Sequence, residues 1–396
     1  MVSSKKNKQL HIDAEALSTL ALVQEGLLAP ITKLMNEKEA KEVRETKMYK
    51  GVSFPFDFIL TPSGKTNESV LRSLQKGDIV ELVTDGRIMG ELIVDETFYI
   101  NLDDRLRCIF GTADKSHPGV QSTVKRLGNI AVAGEYKVEY PLISGSKRAV
   151  REKIKATGSK NISALMLTAN PFNRVHEHTI RQAIDQSDLV VLFLLKPFHN
   201  NALRYDIRHD AVQIVIDNFL PANKVIIVPL ENSYIFSGYN ELVLDALVAK
   251  NYGCTRLLIG KNHAGLGLHY DDDQENSIFD VSEDIQIEIS TIPPHVYCNK
   301  CHALVSTNTC PHGQHHHVRY HSASILDLIK EGLLPPSILV RREVSASIIS
   351  ALFPNRFERL QALYDTLMPN DGLIEEHSEE DFYIKLMGLY QTSSLI

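Results

Sequence analysis

The sequence contains no long hydrophobic run. No stretch of its 396 residues approaches the roughly 18 consecutive apolar residues of a membrane-spanning helix. The first residues, Met1 to Gln9, also lack the apolar core of a secretory signal peptide. We therefore expect a protein of the cytoplasm that makes no contact with a membrane.

The sequence also lacks an excess of positive charge. Its 42 lysines and arginines are outnumbered by 49 aspartates and glutamates, which gives a formal net charge of −7. Proteins that bind nucleic acid or anionic membranes usually carry a basic surface, so neither kind of partner is expected. An anionic ligand would need a local site.

Cysteine is scarce, and its count is odd. Of the five cysteines, Cys108 and Cys254 are isolated, and the other three lie close together in the last third of the chain. An odd count in a chain without an export signal argues against a disulfide framework. The two isolated cysteines are expected to be small buried residues.

The N-terminal part of the chain is predicted to be an irregular β-rich domain. It begins with a helical stretch around Glu15 to Glu25 and continues with short β-like runs, which are separated by turn signals such as Asp85-Gly86. The β-like runs are Phe56 to Leu60, Ile79 to Val83, Gly90 to Val94 and Arg107 to Phe110. A basic connector from Ser144 to Lys160 is the predicted domain boundary.

After this connector, apolar strands alternate with helical segments. The strands are predicted at Ala164 to Thr168, Leu189 to Leu195, Lys224 to Val228 and Arg256 to Ile259. The helices are predicted at Val175 to Gln186, Tyr205 to Asn218 and Asn240 to Lys250. This alternation indicates a doubly wound α/β sheet, in which ligands bind beyond the carboxyl ends of the strands. The loops that start at Ala169 and Gly260 are therefore the places to look for a site.

The chain is too long for one hydrophobic core, so two or three domains are expected. From Pro293 the composition changes again, and after Tyr320 the pattern is largely helical. The predicted domains are residues 1–155, 156–292 and 293–396.

The first candidate loop runs from Leu167 to Glu177 and leads from a strand into a helix. A helix start after Asn170-Pro171 presents backbone N–H groups and a positive dipole end to an anion. Asn173 and His176 lie three residues apart and share one helical face. The plainer alternative is an ordinary helix start with a surface histidine.

The second candidate loop is Gly260-Lys261-Asn262-His263-Ala264-Gly265-Leu266-Gly267. Its glycines permit a close backbone approach to a ligand, and Lys261 and His263 supply hydrogen-bond donors. Glycine-rich turns are common, so this loop alone is a weak signal. Two such loops at strand ends of one sheet reinforce each other.

The three clustered cysteines indicate a structural zinc site. Cys298-x-x-Cys301 and Cys310 precede a histidine-rich segment, and thiolates with one imidazole match the tetrahedral N/S preference of zinc. Spacing does not determine which histidine is the fourth ligand; His315 is the first choice, with His312 and His316 as alternatives. The other interpretation is a loop of free reduced cysteines.

Several segments resemble motifs of the ATP sulfurylase (sulfate adenylyltransferase) family, in the family's order. These segments are Ala29-Pro30-Ile31-x-x-Leu34-Met35, Phe110 to Val120, Asn170-Pro171 with His176-Glu177, Asn251 to Thr255, Gly260 to Gly265, and Arg341-x-Glu343-Val344. Some bacterial members carry an insert similar to the cysteine cluster. The resemblance spans roughly residues 17 to 345.

This resemblance implies a PUA-like N-terminal domain, a nucleotidyltransferase domain of the HxxH type, and a small helical C-terminal region. It also implies a reaction in which sulfate attacks the α-phosphorus of ATP, with Mg²⁺, to give adenosine 5′-phosphosulfate and pyrophosphate. A homo-oligomer is expected. The implied catalytic residues are Asn170, Asn173, His176 and Lys261. The implied nucleotide-binding residues are Asn173, His176, Gly260, His263, Ala264 and Gly265.

The chain departs from the family at positions that hold sulfate. The family's glutamine and arginine in the first motif fall on Leu167 and Ala169, and its first histidine falls on Asn173. In the second motif, its arginine falls on Lys261. Lys261 and Arg174 are the cations left for the acceptor. Two alternatives therefore stay open: a nucleotidyltransferase that uses a different anionic acceptor, and a non-catalytic nucleotide-binding protein.

Overall fold

The computed structural model describes residues 8–197, 202–232, 239–260, 283–354, 362–363, 366–367 and 378–392. Four predicted site residues, Lys261, His263, Ala264 and Gly265, lie outside the described residues. The chain divides into two compact units. Unit 1 comprises Met1–Met166, Leu195–His199 and Val228–Thr291, and unit 2 comprises Leu167–Leu194, Asn200–Ile227 and Ile292–Ile396. Within the described residues, no helix is both long and apolar enough to span a membrane.

The N-terminal part of unit 1 is built around a five-stranded sheet of order β1-β5-β6-β7-β4. Its strands are β1 (Lys8–His11), β4 (Leu60–Pro62), β5 (Ile79–Thr84), β6 (Arg87–Tyr99) and β7 (Leu127–Val138), and a separate pair is β2 (Met48–Tyr49) with β3 (Val52–Ser53). The helices are α1 (Ala14–Gln24), α2 (Glu37–Thr46), α3 (Lys65–Ser73), α4 (Leu102–Phe110), α5 (Pro118–Thr123) and α6 (Pro141–Thr157). The predicted β-rich character of this region is confirmed.

A close contact between β6 and β7 requires glycine. Gly134 pairs with Val94 beside an irregularity in β6, and its φ is 155°. A Cβ at this position would lie 1.9 Å from the carbonyl oxygen of Ile93. Only glycine therefore allows the two strands to approach here.

Two local predictions for the N-terminal part were wrong. Arg107 to Phe110 is not a strand, because it forms the end of α4, whose start is capped by the Asn101 side chain. Phe56 to Ile59 precedes β4 rather than forming it. The predicted connector Ser144 to Lys160 lies mostly in α6, which begins at Pro141, a residue with the backbone angle for a first helical position. Its role as the domain boundary stays a prediction.

The second five-stranded sheet has the order β10-β9-β8-β11-β12. Its strands are β8 (Ile162–Leu167), β9 (Leu189–Pro197), β10 (Val225–Asn232), β11 (Arg256–Gly260) and β12 (Glu288–Ile292). The helices that alternate with them are α7 (Arg174–Gln186), α8 (Tyr205–Phe219) and α9 (Tyr239–Asn251). β8 and β11 are parallel, with Ala164 opposite Leu257. The predicted alternation of strands and helices is confirmed. Every residue from Leu189 to Leu194 is fully buried, as in strands covered on both faces.

The C-terminal part carries a small sheet of order β14-β13-β15, followed by helices. The strands are β13 (His295–Cys298), β14 (Ala303–Ser306) and β15 (His317–Val318), and the helices are α10 (Ser322–Lys330), α11 (Arg342–Leu352) and α12 (Glu379–Thr392). The tight turn between β13 and β14 contains Cys301 and brings it close to Cys298. The predicted helical character after Tyr320 is confirmed.

Candidate nucleotide site and metal centre

The loop after β8 is held in place by hydrogen bonds to the chain around the start of α8. The side-chain oxygen of Asn170 accepts a hydrogen bond from the Leu203 backbone N–H (2.9 Å). The guanidinium of the buried Arg208 donates to the carbonyl oxygen of Thr168 (2.6 Å). Ala169 between them is buried, with φ at 50°. Asn170 and Arg208 thus position this loop. No pattern in the sequence indicated this role for Arg208.

The N-terminus of α7 is capped by Asn173. Its buried side-chain oxygen accepts hydrogen bonds from the backbone N–H groups of Val175 (3.0 Å) and His176 (3.2 Å). The N–H of Arg174 donates to the carbonyl oxygen of Leu339 (2.9 Å). The prediction that these first-turn N–H groups are open to an anion is therefore wrong, because the protein itself uses them.

His176 completes this cap and keeps one donor for a ligand. Its Nδ1 accepts a hydrogen bond from the Asn173 backbone N–H (3.2 Å), so the neutral ring carries its proton on Nε2. Desolvation by burial lowers the pKa of His176 to about 4. The ring also lies 5.6 Å from that of Phe172, between centroids. At neutral pH, His176 is thus an uncharged donor at the positive end of the α7 dipole.

The lowered pKa of His176 makes a testable prediction. We expect the imidazole nitrogens of His176 to keep their neutral chemical shifts down to about pH 5 in NMR spectra of ¹⁵N-histidine-labelled protein, with the signal assigned through His176→Gln. Because the folded pKa lies below the unfolded value of about 6.5, this residue contributes stability above pH 6.5 that is lost as the pH falls toward 4. The loss at pH 5 amounts to about 2 kcal/mol. A measured pKa near 6.5 would contradict this account.

A different face of α7 carries an ion-pair network around the buried carboxylate of Glu177. Glu177 is only 5% exposed, and its carboxylate accepts hydrogen bonds from Arg341 (2.7 Å), Arg181 (2.9 Å) and Arg174 (3.3 Å). Arg174 also donates to the carbonyl oxygen of Ser337 (3.0 Å). Arg174 was one of two cations that the sequence offered for an acceptor anion. The structure places it instead in this network, on a different face from His176.

The second candidate loop follows β11. Gly260 is the last residue of this strand and is exposed. The rest of the loop lies outside the described residues, so the roles of Lys261, His263, Ala264 and Gly265 stay predictions.

The clustered cysteines converge with one histidine. Nδ1 of His312 lies 3.4 Å from Sγ of Cys298, 3.2 Å from that of Cys301 and 3.7 Å from that of Cys310, and the last two sulfurs are 3.9 Å apart. Zinc bonds of about 2.3 Å to sulfur and 2.0–2.1 Å to nitrogen place neighbouring donors of a tetrahedron about 3.5–3.8 Å apart. These four residues therefore fit a tetrahedral zinc ion in both geometry and donor type.

The fourth member of this cluster is His312, where the sequence favoured His315. A turn at residues 307–309 precedes Cys310, and His312, two residues after it, lies among the three sulfurs. His315 lies in a short 3₁₀ turn and packs its ring against that of His316, with the centroids 4.1 Å apart. Nε2 of His317 also lies 3.4 Å from the Cys310 sulfur.

The environment of Cys298 also favours metal binding. Its side chain is buried, and desolvation by itself disfavours the thiolate. Hydrogen bonds from the backbone N–H groups of Cys301 and Lys300 outweigh this effect and hold the pKa of the Cys298 thiol below its ordinary value. A thiolate is the form of cysteine that binds zinc.

Comparison with known proteins identifies two families along the chain. A PUA-like domain model matches residues 1–139, and the ATP-sulfurylase model matches residues 143–351. The second match contains the Asn170 to His176 loop and the cysteine cluster.

Curated relatives match over most of their length. A sulfate adenylyltransferase of Psychrobacter cryohalolentis is 30% identical over 336 residues, which cover 81% of this chain and 79% of that protein. One of Chloroflexus aurantiacus is 27% identical and covers 90% of this chain and 91% of that protein. A solved structure, described as a hexameric APS kinase from Thiobacillus denitrificans, has a TM-score of 0.65 and covers 93% of this chain and 71% of that chain. Its 18% identity shows a shared fold only.

Proposed function

The chain belongs to the ATP-sulfurylase family, and we propose that it is a sulfate adenylyltransferase. The reaction converts ATP and sulfate to adenosine 5′-phosphosulfate and pyrophosphate, or runs in reverse. The observation that carries this proposal is the neutral His176, which is fixed by the α7 cap with its Nε2–H left to donate. It lies in the segment that the family model matches.

In this reaction a sulfate oxygen bonds to the α-phosphorus of ATP as the bond from that phosphorus to the pyrophosphate oxygen breaks. The protein must position two anions and stabilise charge on the phosphates. We assign His176 Nε2–H and the side-chain amide N–H groups of Asn173 as hydrogen-bond donors to phosphate oxygens. Asn170 is assigned to holding the loop in its conformation. The segment Gly260 to Gly265 stays a proposed nucleotide-binding segment, and Lys261 a proposed cation for the acceptor anion. Mg²⁺ would enter with ATP, since the capped start of α7 offers donors rather than carboxylates.

One observation favours a second candidate, an adenylyltransferase with a different anionic acceptor. The positions where the family has glutamine and arginine carry the apolar Leu167 and the buried Ala169. Arg174 lies on a different face of α7 from His176, where it donates to Glu177 and Ser337, so it does not replace the missing arginine. An acceptor pocket with fewer polar groups suits an anion that has an apolar part.

The test is pyrophosphate release by purified protein with ATP and sulfate, compared with other oxyanions. We expect Leu167→Gln with Ala169→Arg to raise sulfate-dependent release about 10- to 100-fold, because a charge-assisted hydrogen bond contributes about 1.5–3 kcal/mol. Ala169 is buried, so the longer side chain must displace its neighbours and costs about 1–3 kcal/mol of stability. Leu167→Gln with Ala169→Gln has a similar packing cost without the charge, and it should show no such gain.

Other outcomes of this test discriminate the alternatives. Turnover with another oxyanion but not with sulfate would support the second candidate. ATP binding without turnover in either direction would show a non-catalytic protein.

Four further features complete the proposal. We infer a doubly wound nucleotidyltransferase domain over residues 156–292, between an N-terminal domain 1–155 and a C-terminal region 293–396. The C-terminal region would hold a structural zinc ion through Cys298, Cys301, Cys310 and His312. A homo-oligomer in the cytoplasm is the expected state of the protein.

A further inference from the structure

A cavity of about 360 Å³ lies beside the face of α7 that carries Glu177. Its walls come from α7, from the small sheet that carries the cysteines, and from the segment before α11. The lining residues are Arg174, Glu177, His178, Arg181, Tyr297, His302, Ala303, Leu304, Tyr320, Ser337 and Ile338. We call it the basic cavity. A volume of this size suits a small molecule.

The charges around the basic cavity are not balanced. Arg174, Arg181 and Arg341 all bond to Glu177, and Glu343 is the other carboxylate close enough to influence Arg174. Three guanidinium groups against two carboxylates leave one positive charge. Desolvation, and then repulsion from Arg341, lower the pKa of Arg174. A further anion would therefore be stabilised here.

Hydrogen-bond donors remain for such an anion. Within the described part of the chain, Arg174 Nη2, Arg181 Nη1 and the Tyr297 hydroxyl donate no hydrogen bond. The side chain of Arg181 is 42% exposed, so its outer edge is open to a ligand. A guanidinium edge is a strong donor for phosphate and carboxylate oxygens.

The remaining walls are aromatic or apolar. Tyr297 and Tyr320 line the cavity with Leu304 and Ile338, and Ile338 is 38% exposed. His178 adds a further ring, which lies 4.4 Å from that of His295 between centroids. Such walls suit a flat or apolar body attached to the anionic group.

We propose that the basic cavity binds a small organic anion, with an oxyanion head on Arg174 and Arg181 and an aromatic body against Tyr297 and Ile338. This site is separate from the nucleotide site, because Asn173 and His176 lie on another face of α7. The inference goes beyond the proposed function and does not depend on it.

The experiment is calorimetric titration of the full-length protein with phenyl phosphate, which combines the two parts of the proposed ligand. We expect one phenyl phosphate per chain, with affinity lowered about tenfold or more in Arg181→Gln and lowered less in Arg181→Lys, which keeps the charge. Arg72→Gln is the matched control, because Arg72 is also exposed and bonded to a glutamate four residues earlier. This control and His176→Ala should bind phenyl phosphate as the parent does.

Several results would overturn the proposal. These are no binding, equal binding by the parent and Arg181→Gln, loss of binding in His176→Ala, or inorganic phosphate binding as tightly as phenyl phosphate. A parent that binds phenyl phosphate but shows no turnover with sulfate would keep the basic cavity and reject the proposed function. Thermal unfolding of both Arg181 variants shows whether weaker binding comes from a destabilised fold or from the loss of a contact with phenyl phosphate.

Discussion

Replacing His312 with alanine is expected to remove zinc from the freshly purified protein, whereas His315→Ala should retain about one zinc ion per chain. His312 Nδ1 lies within 3.7 Å of all three cysteine sulfurs, while His315 packs against His316. Loss of an outer partner of a zinc ligand already weakens binding about 10- to 100-fold, so loss of the ligand itself should exceed that range. Structural zinc contributes about 10–16 kcal/mol to small domains.

Metal analysis of protein purified without chelators measures this directly, and hydrogen exchange over residues 295–318 reports the structural consequence. We expect fast exchange in His312→Ala and slow exchange in His315→Ala. The two variants remove the same side chain three residues apart in one segment, so each is the other's control. Absence of zinc from the parent would reject the metal site. Zinc loss in His315→Ala alone would restore the assignment that the sequence favoured.

The second large effect is expected for nucleotide binding. At an ATP concentration 100 times the dissociation constant, binding stabilises the protein by about 2.7 kcal/mol. If His176→Ala removes a hydrogen bond to a charged phosphate and weakens binding about 100-fold, only about 0.4 kcal/mol of this stabilisation remains. The ATP-dependent rise in melting temperature should therefore almost disappear.

The comparison must separate this effect from the loss of the helix cap. His176 Nδ1 also accepts from the Asn173 N–H, so the variant loses about 1 kcal/mol of stability without any ligand. The shift on adding ATP, rather than the melting temperature itself, is the relevant quantity. His209→Ala, at a partly exposed histidine on α8, is the control and should keep the full shift. An unchanged shift in His176→Ala would move the nucleotide site elsewhere.

The sequence predicted the α/β region well because its signals there are local. Leu189 to Leu194 is an unbroken apolar run, and α7 and α8 keep a helical period between short breaks. The β-like run at Arg107 to Phe110 was misleading, since the cap at Asn101 starts a helix that continues through it. The residues after Gly260 were identified as a candidate loop from the apolar strand before them, their glycines, and the donors Lys261 and His263. They lie outside the described residues, so this loop stays a prediction.

By itself, then, the sequence determined the family, the order of strands and helices in the α/β region, and the two candidate strand-end loops with the cysteine cluster. Tertiary structure decided how individual side chains are used. Arg174 is engaged by Glu177 together with Arg341, which lies 164 positions from Glu177, and Asn170 is engaged by Leu203. His312 rather than His315 reaches the sulfurs, because His315 lies in the following 3₁₀ turn and packs against His316. Residue type and spacing indicate which chemistry a side chain can provide. Its partners depend on which distant segments fold against it.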